Sequence, residues 1–101
     1  MQFKELAPLV EKIECLKNTS DGSDIYLAIT RKVESAKTPS MAQSVCEYII
    51  SMCHPRAWGD RDVSIFNDLS EWCKFLAELS NLATSCWNNI SYNNGAKKLE
   101  N

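Results

Sequence analysis

Glycine and proline are scarce in this chain, with three of each in 101 residues. An all-β domain of that length needs a turn signal roughly every 8–12 residues, so a sandwich or barrel is excluded. His54 is the only histidine, and the five cysteines (Cys15, Cys46, Cys53, Cys73, Cys86) include no C-x-x-C pair. Zinc sites need clustered ligands at short spacings, so no metal is expected. Asp60, Asp62 and Asp68 lack the EF-hand spacing and its terminal Glu. Gly22, Gly59 and Gly95 are isolated, so no Gly-rich phosphate loop exists. His54 has no Ser or Cys nucleophile set by a known motif, and no catalytic residue or cofactor is expected. No run reaches the ~18 apolar residues of a membrane span. The start, MQFKELAPLVEK, lacks a signal-peptide apolar stretch. A reduced, cytoplasmic protein is the expectation, with thiols mostly serving as small core residues.

Basic charge is also missing. The net charge is −2 and the pI about 5.3, which offers no footprint for nucleic acid. Residues 38–96 hold six acids (Glu47, Asp60, Asp62, Asp68, Glu71, Glu78) against three bases (Arg56, Arg61, Lys74), a local net of −3. An acidic surface suits a basic protein partner and also plain solubility.

What is present is helical periodicity in a single domain spanning 1–101. Phe3, Leu6, Val10, Ile13 and Leu16 follow 3–4 spacing, so residues 2–17 form a helix that starts near Ala7 or bends at Pro8. The cluster NTSDGSD is a turn, with Ser23 or Asp21 as cap of a second helix over about 24–36. Thr38 is the N-cap of a third helix, with Pro39 at its first position. Its broad face of Met41, Ala42, Val45, Cys46, Ile49, Met52 and Cys53, widened by Ile50, predicts the most buried helix. His54-Pro55 ends it. In the last helix Leu69, Trp72, Leu76, Leu79, Ala83, Cys86 and Ile90 alternate steps of three and four, broadened by Cys73 and Trp87. Asn67 or Asp68 is its cap, with Glu71 three residues after Asp68 completing a capping box. Residues 91–101 read as a frayed tail. The fold class is therefore all-α, an antiparallel bundle of about four helices, with a monomer favoured.

One stretch, MCHPRAWGDRDVSIF, does not read as helix. A connection of about twelve residues exceeds the usual 2–8 between bundle helices, so it is packed down or functional. His54 is expected to cap the third helix. Trp58 is expected to anchor the loop, and Trp and Arg are also the residue types that dominate interface hot spots. The candidate partner-binding residues are Arg56, Trp58, Asp60, Asp62, Asp68 and Glu71.

At MCHPRAWGDRDV followed by NDLSEWCKFLAELSNLA the chain resembles the small helical immunity proteins of bacterial polymorphic toxin systems, above all those of contact-dependent growth inhibition. The likeness lies in a helix ending Cys-His-Pro, a Trp-Gly-Asp turn, and a final helix opening with an acid and Trp. It covers about residues 45–85. It implies a non-enzymatic inhibitor of a cognate toxin nuclease domain, an RNase, with the EndoU type as one candidate. The alternative is a phage-type small helical inhibitor, or a nucleotide sponge acting on a bacterial defence system. A sponge would need a basic, aromatic pocket, within one chain or at an oligomer interface; Arg31, Lys32 and Arg56 could supply one but are not clustered in sequence.

Overall fold

A computed structural model describes residues 2–100, with side chains through Asn94. It is an all-α antiparallel bundle, and no strand occurs among the described residues. The helices are α1 (Ala7–Ile13), α2 (Ser23–Ser35), α3 (Pro39–Met52) and α4 (Leu69–Glu100). Short 3-10 turns flank α1 at Lys4–Leu6 and Glu14–Leu16, and a third spans Trp58–Asp60. At 1.5 Å per residue the 32 residues of α4 span about 48 Å, which sets the long axis of a 51 × 21 × 19 Å molecule.

Local chemistry explains the helix starts. Pro8 sits in the first turn of α1, where its missing N–H costs nothing, so the α-helix begins at Ala7 after a 3-10 turn. Thr38 caps α3 as expected. Its Oγ1 accepts the Met41 N–H at 3.1 Å, and Pro39 opens the helix. The start of α2 differs from the expected Asp21 or Ser23 cap. Gly22 occupies the N-cap with no side-chain bond, because Asp21 is drawn to Ser64 of the long loop instead.

α4 is the spine. Trp72, Leu76, Leu79, Ala83, Cys86 and Ile90 are all buried along it, as their spacing predicts. α3 packs along α4 most extensively. Gln43 near the start of α3 reaches the Trp87 carbonyl, and Glu47 accepts from the Trp87 indole. α1 also runs antiparallel to α4, with Lys12 paired to Glu78 at 3.2 Å and Asn93 donating to Glu5 at 2.8 Å. That last bond corrects the expected tail. The helix continues past Ile90, and Asn94 also bonds back to the Ile90 carbonyl. The side chains of 95–100 and all of Asn101 lie outside the described residues.

Three apolar residues expected in the core are exposed. Met41 and Ile50 lie at the two edges of the α3 face, about 90° either side of its centre at 3.6 residues per turn. α2 and α4 cover the centre (Ala42, Val45, Cys46, Ile49) and leave both edges open. Leu69 is 55 % exposed because the first turn of α4 projects beyond the helices that cover the rest. Cys73 is also exposed, and so is Cys15. Only Cys46 and Cys86 are fully buried, so the thiols are less uniformly internal than expected. All five are free. Phe75 is a core residue outside the predicted pattern. It stacks on Trp72 with centroids 5.6 Å apart, and the Lys12 ammonium stands over its ring at 5.0 Å from the centroid.

Candidate functional site

The loop of residues 53–68 is a packed corner that also displays charge. His54-Pro55 stops α3, and the chain reverses at once. The His54 carbonyl accepts N–H bonds from Ala57 and Gly59. The His54 ring does not cap α3 as expected. It turns forward, and Nδ1 accepts the Arg56 N–H at 3.1 Å. Gly59 eases this reversal, since a Cβ there would crowd the His54 carbonyl oxygen at 3.0 Å.

Trp58 is the anchor. It is 4 % exposed, packs edge-on against Tyr48 at 5.8 Å, and its carbonyl accepts the buried Trp72 indole N–H at 2.8 Å. It therefore supports the loop from below and presents no exposed ring to a partner, which corrects its place among the contact residues. Val63 and Phe66 fasten the second half. Val63 is buried, and Phe66 lies against Trp72 and Phe75 with centroids just over 5 Å away.

A polar latch ties the loop to the start of α2. Arg61 Nη1 pairs with Asp24 at 2.8 Å and also donates to the Asp21 carbonyl. The Ser64 N–H donates to Asp21 Oδ2 at 2.9 Å. That N–H, more than any other group, holds the Asp21 carboxyl below the usual carboxylate range, with the Arg61 charge adding to it. Arg61 is thus ion-paired, as expected for an arginine among these acids, but with α2 rather than with Asp60 or Asp62.

With Arg61 committed, the acids of the loop stand free. Asp60 and Asp62 are exposed and have no side-chain partner among the described residues. They line a groove of about 400 Å³ together with Gly59, Arg61, Asn67, Asp68 and Leu69. The structure thus brings together three of the six expected contact residues: Asp60, Asp62 and Asp68. Arg56 is exposed on the same loop and does not line this groove. Glu71 is exposed but spent on the helix start. Asp68 Oδ1 accepts the Glu71 N–H, while the Glu71 carboxylate accepts from the Asn67 N–H and its amide. This is a capping box shifted by one residue, since Glu71 reaches Asn67 rather than Asp68.

Sequence reasoning missed that Leu69, 55 % exposed, lines the groove with these acids. The signal available was position, because a first-turn residue after a long loop has no preceding turn to pack beneath. Among the described residues no group of three His, Cys, Asp or Glu could hold a metal ion, so the carboxylates share a groove without converging on one point. Of the basic residues named for the alternative reading, Lys32 is the one set against an aromatic ring. Lys32 stands over the Tyr48 ring at 4.5 Å and lines a groove with Ser35, Met41, Ser44 and Val45, in which neither Arg31 nor Arg56 takes part. No described helix is long and apolar enough to cross a membrane.

Comparison with protein-family models, curated proteins and solved structures finds no match.

Proposed function

We propose that this protein is an immunity protein that binds a cognate bacterial toxin nuclease, an RNase, in the cytoplasm and blocks its active site. It acts as a monomer, by occlusion rather than by catalysis. The observation that carries this reading is the groove in which Asp60 and Asp62, without a side-chain partner among the described residues, join Asp68 around exposed Leu69. A nuclease cleft is basic because it holds phosphates. Carboxylates displayed on a rigid loop can enter such a cleft, exclude the nucleic acid and steer fast association. Trp58, the Arg61–Asp24 pair and the Asp21–Ser64 bond hold the loop in place before binding. Preorganisation of this kind removes the entropy cost of ordering a loop at the interface. The resemblance at residues 45–85 points the same way.

The test is co-purification with the protein encoded beside its gene, followed by an RNA-cleavage assay on that protein. The wild-type chain is expected to bind and abolish cleavage. Asp60→Lys with Asp62→Lys should slow association and weaken binding, most visibly at low salt, with the helical circular dichroism spectrum unchanged. A neighbour that neither binds nor loses activity, or a double variant with wild-type association at low salt, would sink the reading.

A further inference from the structure

The acidic groove does not end at Leu69. A second groove, of about 510 Å³, begins at the same Gly59 and runs between the end of α3 and the flank of α4. Ile50, Cys53 and Pro55 form one wall, Cys73, Ala77 and Asn81 the other, with buried Leu76 in the floor. Leu69, Cys73 and Ala77 are spaced i, i+4, i+8 and all are exposed, so they make one stripe up α4. The stripe from Leu69 to Asn81 is about 18 Å long at 1.5 Å per residue, enough for three turns of a partner helix. Its two ends differ. No Asp, Glu, Lys or Arg lines the groove beside α3, where His54 is the one basic side chain, whereas Asp60, Asp62 and Asp68 line the other end, with Arg61 there already paired to Asp24.

We infer that the two grooves are one docking surface, and that its occupant is an amphipathic helix of the partner protein with an apolar stripe and a basic end. The apolar stripe lies between α3 and α4 against Ile50, Cys73 and Ala77, and the basic end meets the three aspartates. Helix-in-groove recognition works this way, with apolar side chains at i, i+3, i+4 and i+7 seated in a groove between elements. The charge asymmetry fixes direction as well as partner type, since a reversed helix would place its basic end where there are no acids. The inference rests on the reading that the acidic end meets a basic nuclease, and it extends the contact from a loop to a face.

Cys73 is a built-in reporter. It sits exposed in the middle of the stripe, while Cys15, also exposed, lies outside both grooves. Alkylation by N-ethylmaleimide is followed residue by residue, in the free chain and in the complex with the neighbouring nuclease. A parallel arm uses a synthetic helical peptide of about 14 residues with Leu along one face and Lys and Arg at one end, against a twin ending in Glu. Docking as inferred slows labelling of Cys73 and leaves Cys15 unchanged, in the complex and with the basic peptide but not its twin. Ala77→Arg, at an exposed position, should weaken nuclease binding by about tenfold or more, the scale of a core interface contact. If the complex forms and responds to Asp60 and Asp62 reversal while Cys73 labels at its free rate, the groove is not part of the interface and the acidic loop acts alone. If no complex forms, the nuclease reading falls, and equal Cys73 labelling with both peptides overturns the groove as well.

Discussion

Cys46 and Cys86 meet in the seam between α3 and α4, where burial raises both thiols. Cys46 is pushed up to about 12 from an ordinary 9.0, first by burial and then by the nearby Cys86. A raised value means that the folded chain holds the proton more tightly than the unfolded chain. The contribution of this thiol to stability is therefore complete below pH 9 and is lost as the pH climbs from there towards 12. Cys46→Ala, which removes little volume, should flatten that alkaline loss. Urea midpoints at about pH 8 and about pH 10.5 check it, and equal slopes for wild type and variant would contradict it. The burial of Cys46 was legible in the sequence, because it sits at the centre of the α3 stripe with Ala42, Val45 and Ile49. Cys73 was misjudged. It lies about 100° from the centre of the buried α4 stripe at 3.6 residues per turn, and only the placement of α3 decides whether such a flank is covered. Asp60 and Asp62 were read as displayed acids and are so. Their freedom depends on Arg61 reaching Asp24, 37 residues away, which no local pattern announces.

Local chemistry marks two helix starts and the end of α3, and leaves the other boundaries to distant contacts. Thr38-Pro39 and Asp68 were legible because an N-cap satisfies N–H groups within its own first turn. The start of α2 was not, since Asp21 serves a distant N–H, and the end of α4 was not, since Asn93 is held by Glu5 from the other end of the chain. The Trp58–Trp72 pair shows the same dependence on tertiary contact. Trp72 carries the fourth helix into the core, and its indole N–H joins the Arg61 N–H on the Trp58 carbonyl beneath the loop. Trp72→Phe keeps an aromatic ring for Phe66 and Phe75 but removes the buried one of these two donors. The expected cost is about 0.5–1.5 kcal/mol, most of it at the loop. Hydrogen exchange should show faster opening at Gly59, Arg61 and Ser64, with α1 and the far half of α4 protected as before. Uniformly faster exchange along the whole chain would mean that the indole bond supports the core rather than the corner.

At the scale of the molecule, one helix joins most of the other elements. α4 contacts α1, α3 and both the first and third 3-10 turns, and its buried residues run from Trp72 to Ile90, about 27 Å along the axis. A bundle with a continuous spine has no line along which it divides, which is why a long final stripe in the sequence was enough to give the architecture. The same spine did not give the docking surface, because that surface lies on the flank of α4 and is defined by where α3 stops. It follows that loss of a whole buried side chain at either end, unlike loss of one loop hydrogen bond, should be felt throughout. Trp58→Ala removes a buried ring at the loop end, and Ile90→Ala opens a cavity at the other. Each should cost about 3–5 and about 2–5 kcal/mol respectively. Because the two sites lie far apart and share no partner, their costs should add within about half a kcal/mol. Both variants should still unfold in one transition, with far-UV circular dichroism and tryptophan fluorescence reporting the same urea midpoint. The fluorescence probes are well placed for this, since Trp58 and Trp72 sit at the loop end and Trp87 sits in the far half of α4 beside Gln43 and Glu47. A fluorescence midpoint that falls below the dichroism midpoint in Trp72-containing Trp58→Ala would show that the loop end unfolds alone, and the acids at Asp60 and Asp62 would then lose the rigid mounting on which their docking depends.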